Sequence, residues 1–256
     1  MRLGFIGTGA ITQAVVTGLL RFDFPLKRIS LSPRNAQTAA ALAALDKRVQ
    51  VCESNQDVLE ASDVVCLAVV PQIAADVLSE LHFDARHHVV SFIAGISIDE
   101  VRRLVRAQGK VVRAIPLPAV AEGKGSTAIC PADHVAKSLF SALGQAIEVD
   151  DEARFDALLA VTATMASFYA VLEAQASWLV RQGLDDDAAR SFLSGYSVGL
   201  AHDTTRGERS FTELIEHSMT PGGINEQVHD ELSKRGTYAH FADALDRVLM
   251  RIQGRA

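Results

Sequence analysis

The sequence predicts a doubly wound α/β domain over residues 1–150 followed by an all-α domain over residues 151–256, and three observations carry the prediction. A short apolar run, Leu3 to Ile6, meets Gly7-Thr8-Gly9 and passes at once into a helical repeat of Ala10, Ile11, Ala14, Val15, Gly18 and Leu19. Strand-like apolar runs then alternate with helical stretches as far as Val149, the rhythm of a parallel sheet with crossover helices. Beyond Asp150-Asp151-Glu152, acids well placed to start a helix, the periodicity is helical throughout.

The strand–glycine–helix order at the N-terminus suits a dinucleotide. Gly7 allows the tight turn, and Gly9 has no side chain to hold off a pyrophosphate. The backbone of Thr8, Ala10 and Ile11 then faces the anion, at the positive end of the helix dipole. Thr12 stands where a third Gly or Ala is usual, and a plain strand–turn–helix would also fit this stretch taken alone.

Composition narrows the setting. The 256 residues are 48% hydrophobic and 22% charged, as expected of a soluble globular chain, and the net charge of −6 argues against a nucleic-acid partner. Cys52, Cys66 and Cys130 are odd in number and scattered, which favours reduced thiols in the cytoplasm over disulfides or a metal site. The phosphate loop begins at Gly7, leaving no room for a signal peptide before it. The longest apolar stretch, Leu158 to Val180, is interrupted by Glu173 and Gln175, so a buried helix is expected there and not a membrane span.

The remaining elements follow in order. Ile29–Leu31 is the second strand, and its tip reads Ser32-Pro33-Arg34-Asn35 with no acid. An acid there would accept from free ribose hydroxyls; its absence beside Arg34, with Ser32 and Asn35 as donors, favours the 2′-phosphate of NADP. Helices are expected over 38–45, 55–60, 73–81, 98–106 and 135–143, and strands over 49–52, 63–69, 88–93, 110–115, 128–130 and 145–149. Asp63 to Val69 has the continuous apolar character of a central parallel strand. His82, His87 and His88 fall between elements, where solvent exposure is expected and no role is assigned.

These motifs together, Gly4-Phe5-Ile6-Gly7-Thr8-Gly9, Asn55, Leu67–Gln72, Phe92–Ile98 and Val112-Arg113-Ala114-Ile115-Pro116, resemble the Δ1-pyrroline-5-carboxylate reductase family over nearly the whole chain. The resemblance implies a Rossmann-type domain, a helical dimerisation and substrate domain, and hydride transfer from NAD(P)H to a cyclic imine. It places Asn55, Ala68, Val69 and Pro71 in the cofactor cleft, with Ala94 and Gly95 beside them. Two departures stand out in this half. Val70 replaces a usual Lys, and Pro116-Leu117-Pro118-Ala119 replaces Pro-Asn-Thr-Pro, removing two polar groups near the nicotinamide.

In the second half, helices are expected over 153–182, 186–206, 211–218, 225–235 and 241–252. The first is too apolar to stand alone and needs cover from other helices or a second subunit. Thr220-Pro221-Gly222-Gly223-Ile224-Asn225 resembles the family's Ser-Pro-Gly-Gly-Thr-Thr loop. Its glycines before a helix start form an anion nest for a substrate carboxylate. Gly223 is the residue expected to need positive φ. Thr162-Ala163-Thr164-Met165-Ala166 stands where the family has Ser-Gly-Ser-Gly-Pro, leaving Thr162, Thr164 and Tyr169 as the polar groups to hold substrate or donate a proton, with Glu173 as a buried carboxylate. The substrate site is expected between Leu117-Pro118 and Thr220–Asn225. The function expected is an NADPH-dependent imine reductase making proline as a homodimer or an oligomer of dimers, with a small cyclic imine as its partner and no membrane. The alternatives are a reductase of another cyclic imine or carbonyl compound, and a non-catalytic NADP-binding sensor.

Overall fold

The computed structural model describes residues 1–106 and 109–255. Two compact units are distinguished: Met1–Leu159 together with Ile252–Arg255, and Ala160–Arg251.

The first unit is an eight-stranded sheet, β1 (Arg2–Ile6), β2 (Arg28–Leu31), β3 (Val49–Val51), β4 (Val64–Leu67), β5 (His88–Ser91), β6 (Val111–Ile115), β7 (Ser126–Cys130) and β8 (Gln145–Glu148). The spatial order is β3-β2-β1-β4-β5-β6-β7-β8. The first six strands are parallel and reverse direction of travel between β1 and β4, which opens the crevice where such sheets bind ligands. The antiparallel pairing of β7 with β6, Arg113 opposite Cys130, is not foreshadowed by the sequence reading. A 3-10 turn at Pro118–Glu122 and Gly123, in the left-handed region at φ +68°, turn the chain back.

Strand residues are apolar on both faces, so the sheet supports two cores. On one face Leu3, Phe5, Val64 and Cys66 pack beneath α1 (Ala10–Arg21), α2 (Ala36–Ala43) and α6 (His134–Ser141). On the other, Ile6, Val65, Leu67 and Val89 pack beneath α3 (Asn55–Glu60), α4 (Pro71–Ser79), α5 (Ile98–Val105) and the start of α7 (Glu152–Thr162), through Val58, Leu78, Val101 and Phe155. All three cysteines are free and buried. Burial holds the Cys66 thiol far above its usual range and pushes that of Cys130 up to about 11.

Two of the three histidines expected in solvent are enclosed. His87 accepts the Asp84 amide at Nδ1 (3.0 Å), and its Nε2 lies 3.0 Å from the Leu59 carbonyl, so the ring latches its own turn to the last turn of α3. His88 is the first residue of β5, its Nε2 lying 3.1 Å from Asp133 Oδ1. Burial lowers its pKa, outweighing the attraction of Asp133. Only His82 is exposed.

The second unit is helical: α8 (Met165–Arg181), α9 (Asp186–Thr205), α10 (Phe211–Ser218), α11 (Ile224–Lys234) and α12 (Thr237–Ile252). The single helix expected over 153–182 is divided at Ala163-Thr164, where amides bond three residues back and the Thr164 hydroxyl donates to the Val161 carbonyl (2.8 Å). The cover expected for this stretch does not come from the chain's own helices. No residue of α8 is buried within the chain, and α9 buries only Ala189 and Leu193. Glu173, expected inside, is exposed and accepts from the Ser177 hydroxyl.

Candidate functional site

The carboxyl ends of β1, β2 and β4 converge on Gly7. This residue has φ +100°, and a Cβ there would sit 2.5 Å from the Ala68 carbonyl oxygen, so conformation and space both require glycine. Gly9 is different. A Cβ there would meet nothing within 4 Å, and as N-cap of α1 it offers no side-chain acceptor to the helix. The first-turn amides of Ala10 and Ile11 therefore face an open cradle at the positive end of the dipole. That cradle fits a pyrophosphate.

The loop is fastened by groups with other expected roles. The Gly7 amide donates to Ser32 Oγ (2.9 Å), and the Thr8 hydroxyl donates to the Ser32 carbonyl (2.7 Å). The Thr8 proton being committed to that carbonyl, the 3.0 Å contact between the two hydroxyls is donated by Ser32. Ser32 is wholly buried with its one proton used. The expected donation from Ser32 to a 2′-phosphate is therefore corrected: its work is to hold the phosphate loop. The Thr8 hydroxyl is likewise spent internally. Thr12, which looked like a departure from the glycine pattern, donates to the Gly7 carbonyl (2.7 Å) and closes the loop from the helix side.

Arg34 and Asn35 are exposed at the tip of β2. Asn35 caps α2 by accepting from the Thr38 amide, which leaves its NH2 group to donate, and Arg34 has no ion-pair partner among the described residues. Asn55 begins α3, but the capping box belongs to Ser54 and Asp57, so the Asn55 amide is not consumed by the cap. Ala68 and Val69 leave β4 half-buried, and Pro71 is the first residue of α4. Ala94 and Gly95 are exposed after β5, Gly95 at φ +72°. These positions share one edge of the sheet. Below it lies a cavity of about 70 Å³ whose lining includes Ile11, Ala94, Ala114 and Pro116. Leu117 and Pro118 follow at the end of β6, with Pro118 opening the 3-10 turn.

The sequence motifs assign no role to Arg113. It is buried in β6, and its Nη1 donates to Glu152 Oε1 (2.7 Å) and Asp156 Oδ1 (2.9 Å) of α7. Its guanidinium lies 4.4 Å over the Phe155 ring. The available signal was a cation inside an otherwise apolar strand, which must find acids or pay for its burial.

The other expected site residues belong to the second unit. Thr162 ends α7, Thr164 commits its proton to Val161, and Tyr169 is exposed on α8 with its ring edge-on to Phe168. In the glycine loop the left-handed residue is Gly222 (φ +73°), not Gly223 as expected. Gly223 is restricted instead by space, since a Cβ would fall 2.8 Å from the Thr220 carbonyl oxygen. The nest is also partly used from within: the Gly222 amide donates to Glu226 Oε2 (2.6 Å) and the Gly223 amide to the Thr220 carbonyl (2.7 Å). The Asn225 side chain donates to the Ser218 carbonyl (2.7 Å), and Ile224 is exposed. The first-turn amides of α11 are what remains for an anion.

Comparison with known proteins agrees with both halves. Residues 2–95 match the family model described as NADP oxidoreductase coenzyme F420-dependent, and residues 152–254 match that described as pyrroline-5-carboxylate reductase dimerisation. The chain is similar to the pyrroline-5-carboxylate reductase of Pasteurella multocida, 32% identical over 77% of this chain and 76% of that one. The Haemophilus influenzae enzyme of the same name is 28% identical over 86% and 84%. Among solved structures, 1-pyrroline-5-carboxylate reductase from Streptococcus pyogenes superposes with a TM-score of 0.84 at 23% identity, covering 99% of this chain and 98% of that one. The Plasmodium falciparum pyrroline carboxylate reductase, solved with NADP bound, gives 0.85 at 18% identity, covering 100% and 98%.

Proposed function

We propose that this chain, which belongs to the pyrroline-5-carboxylate reductase family, reduces 1-pyrroline-5-carboxylate to proline with NADPH. The observation that carries the reading is the open cradle at Gly9, beside an acid-free β2 tip that offers Arg34. NADPH, when bound, supplies the hydride. The chain's own part is to bind and orient: α1 amides take the pyrophosphate, Arg34 and Asn35 the 2′-phosphate, and Asn55, Ala68–Pro71 and Ala94-Gly95 border the rest of the cofactor. A protonated imine is already electrophilic, so the demand on the protein is alignment and exclusion of water, with no strong base required. The division of labour is a cofactor-binding domain over 1–150 and a helical domain over 151–256 that carries the α11 amides for the substrate carboxylate. The place of work is the cytoplasm, which suits three reduced thiols.

Oxidation of NADPH in the presence of 1-pyrroline-5-carboxylate tests the reading, with proline as the product expected. NADPH that binds but is never oxidised by any cyclic imine would leave a non-catalytic NADP-binding protein. A second substrate reading is favoured by Glu226. Its carboxylate already holds the Gly222 amide, and Leu117 and Ile224 are apolar where the family is polar. Cyclic imines without a carboxylate therefore belong in the same assay.

Two expectations accompany this function. Arg34→Glu should weaken NADPH by roughly tenfold or more, the scale of a lost charge-assisted contact, and leave NADH nearly unchanged. Equal losses for the two cofactors in a fluorescence titration would remove Arg34 from the 2′-phosphate. The chain should also be a homodimer through its helical unit, where α8 buries nothing within the chain.

A further inference from the structure

We propose that Glu152 is a positioning residue for hydride transfer, acting through Arg113 and the first amide of α5; this rests on the reductase reading above. A single oxygen, Glu152 Oε1, accepts from Arg113 Nη1 (2.7 Å) and from the Ile98 amide (2.9 Å). It thereby ties three segments: β6, the loop 94–97 that leads into α5, and the start of α7. All three carry walls of the 70 Å³ cavity at the sheet edge, α7 through Phe155. Ala114 to Pro116 follow Arg113 directly, and Ala94 lies four residues before Ile98. The nicotinamide end of a dinucleotide is received at this carboxyl edge, so the tie sets the spacing of the surfaces on either side of it.

Stability alone is a poor reason for such a cluster. Buried ion pairs seldom stabilise a fold more than apolar residues of the same size would. This one also leaves Arg113 Nε buried with no acceptor among the described residues, a group whose desolvation is uncompensated. Phe155, packed against the guanidinium, fixes the plane in which Nη1 can reach both acids. Removing Glu152 leaves Arg113 paired with Asp156 at 2.9 Å, so the cation is not stranded and the loss is confined to the tie.

The test compares Glu152→Ala, which deletes the acceptor, with Glu152→Gln, which keeps an oxygen at the same reach. Three measurements are made on the full chain: amide hydrogen exchange over 94–98 without cofactor, the Kd for NADPH, and turnover with protiated against 4-deuterated NADPH. For Glu152→Ala we expect faster exchange over 94–98, a Kd within about threefold of wild type, kcat lowered tenfold or more, and a larger deuterium isotope effect as the hydride step becomes limiting. Glu152→Gln should recover most of each. Wild-type kcat and isotope effect in Glu152→Ala would overturn the proposal, and so would losses of kcat, affinity and Tm in step, which mark general structural damage. If no cyclic imine leads the wild type to oxidise NADPH, the reductase reading fails. The exchange experiment would then still report whether the tie holds the loop.

Discussion

Gly9→Asp should leave the fold standing while lowering NADPH affinity a hundredfold or more, and Gly7→Ala should instead damage the fold itself. The two glycines are two residues apart and are needed for unrelated reasons. At Gly9 there is open space, and the helix it caps has no side-chain acceptor. An aspartate is among the best N-cap residues, so Tm should stay level or rise. Its carboxylate would take the same amides that a pyrophosphate needs and repel the anion as well, and a hundredfold loss corresponds to about 2.7 kcal/mol. At Gly7 an alanine must adopt φ +100° with its methyl 2.5 Å from the Ala68 carbonyl oxygen. Strained backbone plus an overpacked contact costs on the order of 2 kcal/mol or more. Thermal denaturation and a fluorescence titration of each variant decide the matter. NADPH binding within threefold of wild type in Gly9→Asp would show that the pyrophosphate does not lie over α1.

Trp178→Glu should convert the protein from dimer to monomer. Trp178 is 53% exposed and Phe192 63% exposed in the single chain, and with Val228 and Leu232 they line an apolar groove of about 560 Å³. Phe192 and Tyr196 stack with rings 6.3 Å apart, presenting a flat apolar surface. Exposed patches of this kind mark association surfaces, and central aromatic anchors there typically contribute about 2 kcal/mol or more to binding. A carboxylate buried in the same place without a partner adds its own desolvation cost. Sedimentation equilibrium at micromolar concentration reads the outcome. A wild-type monomer, or a dimer that survives Trp178→Glu, would count against this face.

Legibility in the sequence followed how local the determinant was. Helices with local signals were bounded well: α3 and α10 run from 55 to 60 and 211 to 218 as expected, each behind a serine capping box. The parallel strands were visible through their two-sided apolarity. The reversal at β7 was not, because parallel and antiparallel strands share the same short apolar run and differ only in a partner 13 to 17 residues away. His87 read as solvent because its partners, Leu59 and Asp84, come from the last turn of α3 and from its own turn. Within the site, Gly7 declared itself, whereas the left-handed turn fell at Gly222 and not Gly223, and Ser32 misled. Its position at the β2 tip was right, but the choice between binding a phosphate and holding Gly7 depends on burial, which no residue pattern reveals. Arg113 belonged to the same class: the charge was plain, while the acids that need it lie 39 and 43 residues on.

The Ser32 fastening bears on the thermodynamics of cofactor capture. A glycine-rich loop free to sample many conformations would have to be frozen when the dinucleotide arrives, and fixing each backbone residue costs roughly 1–2 kcal/mol. Here Gly7, Thr8 and Thr12 are already committed to Ser32 and to one another. That ordering is therefore charged to folding, where the core of the sheet absorbs it, and not to association. Removing the hydroxyl with Ser32→Ala would move the charge back, so the signature is an unfavourable change in binding entropy by calorimetry, with little change in the enthalpy of the phosphate contacts themselves.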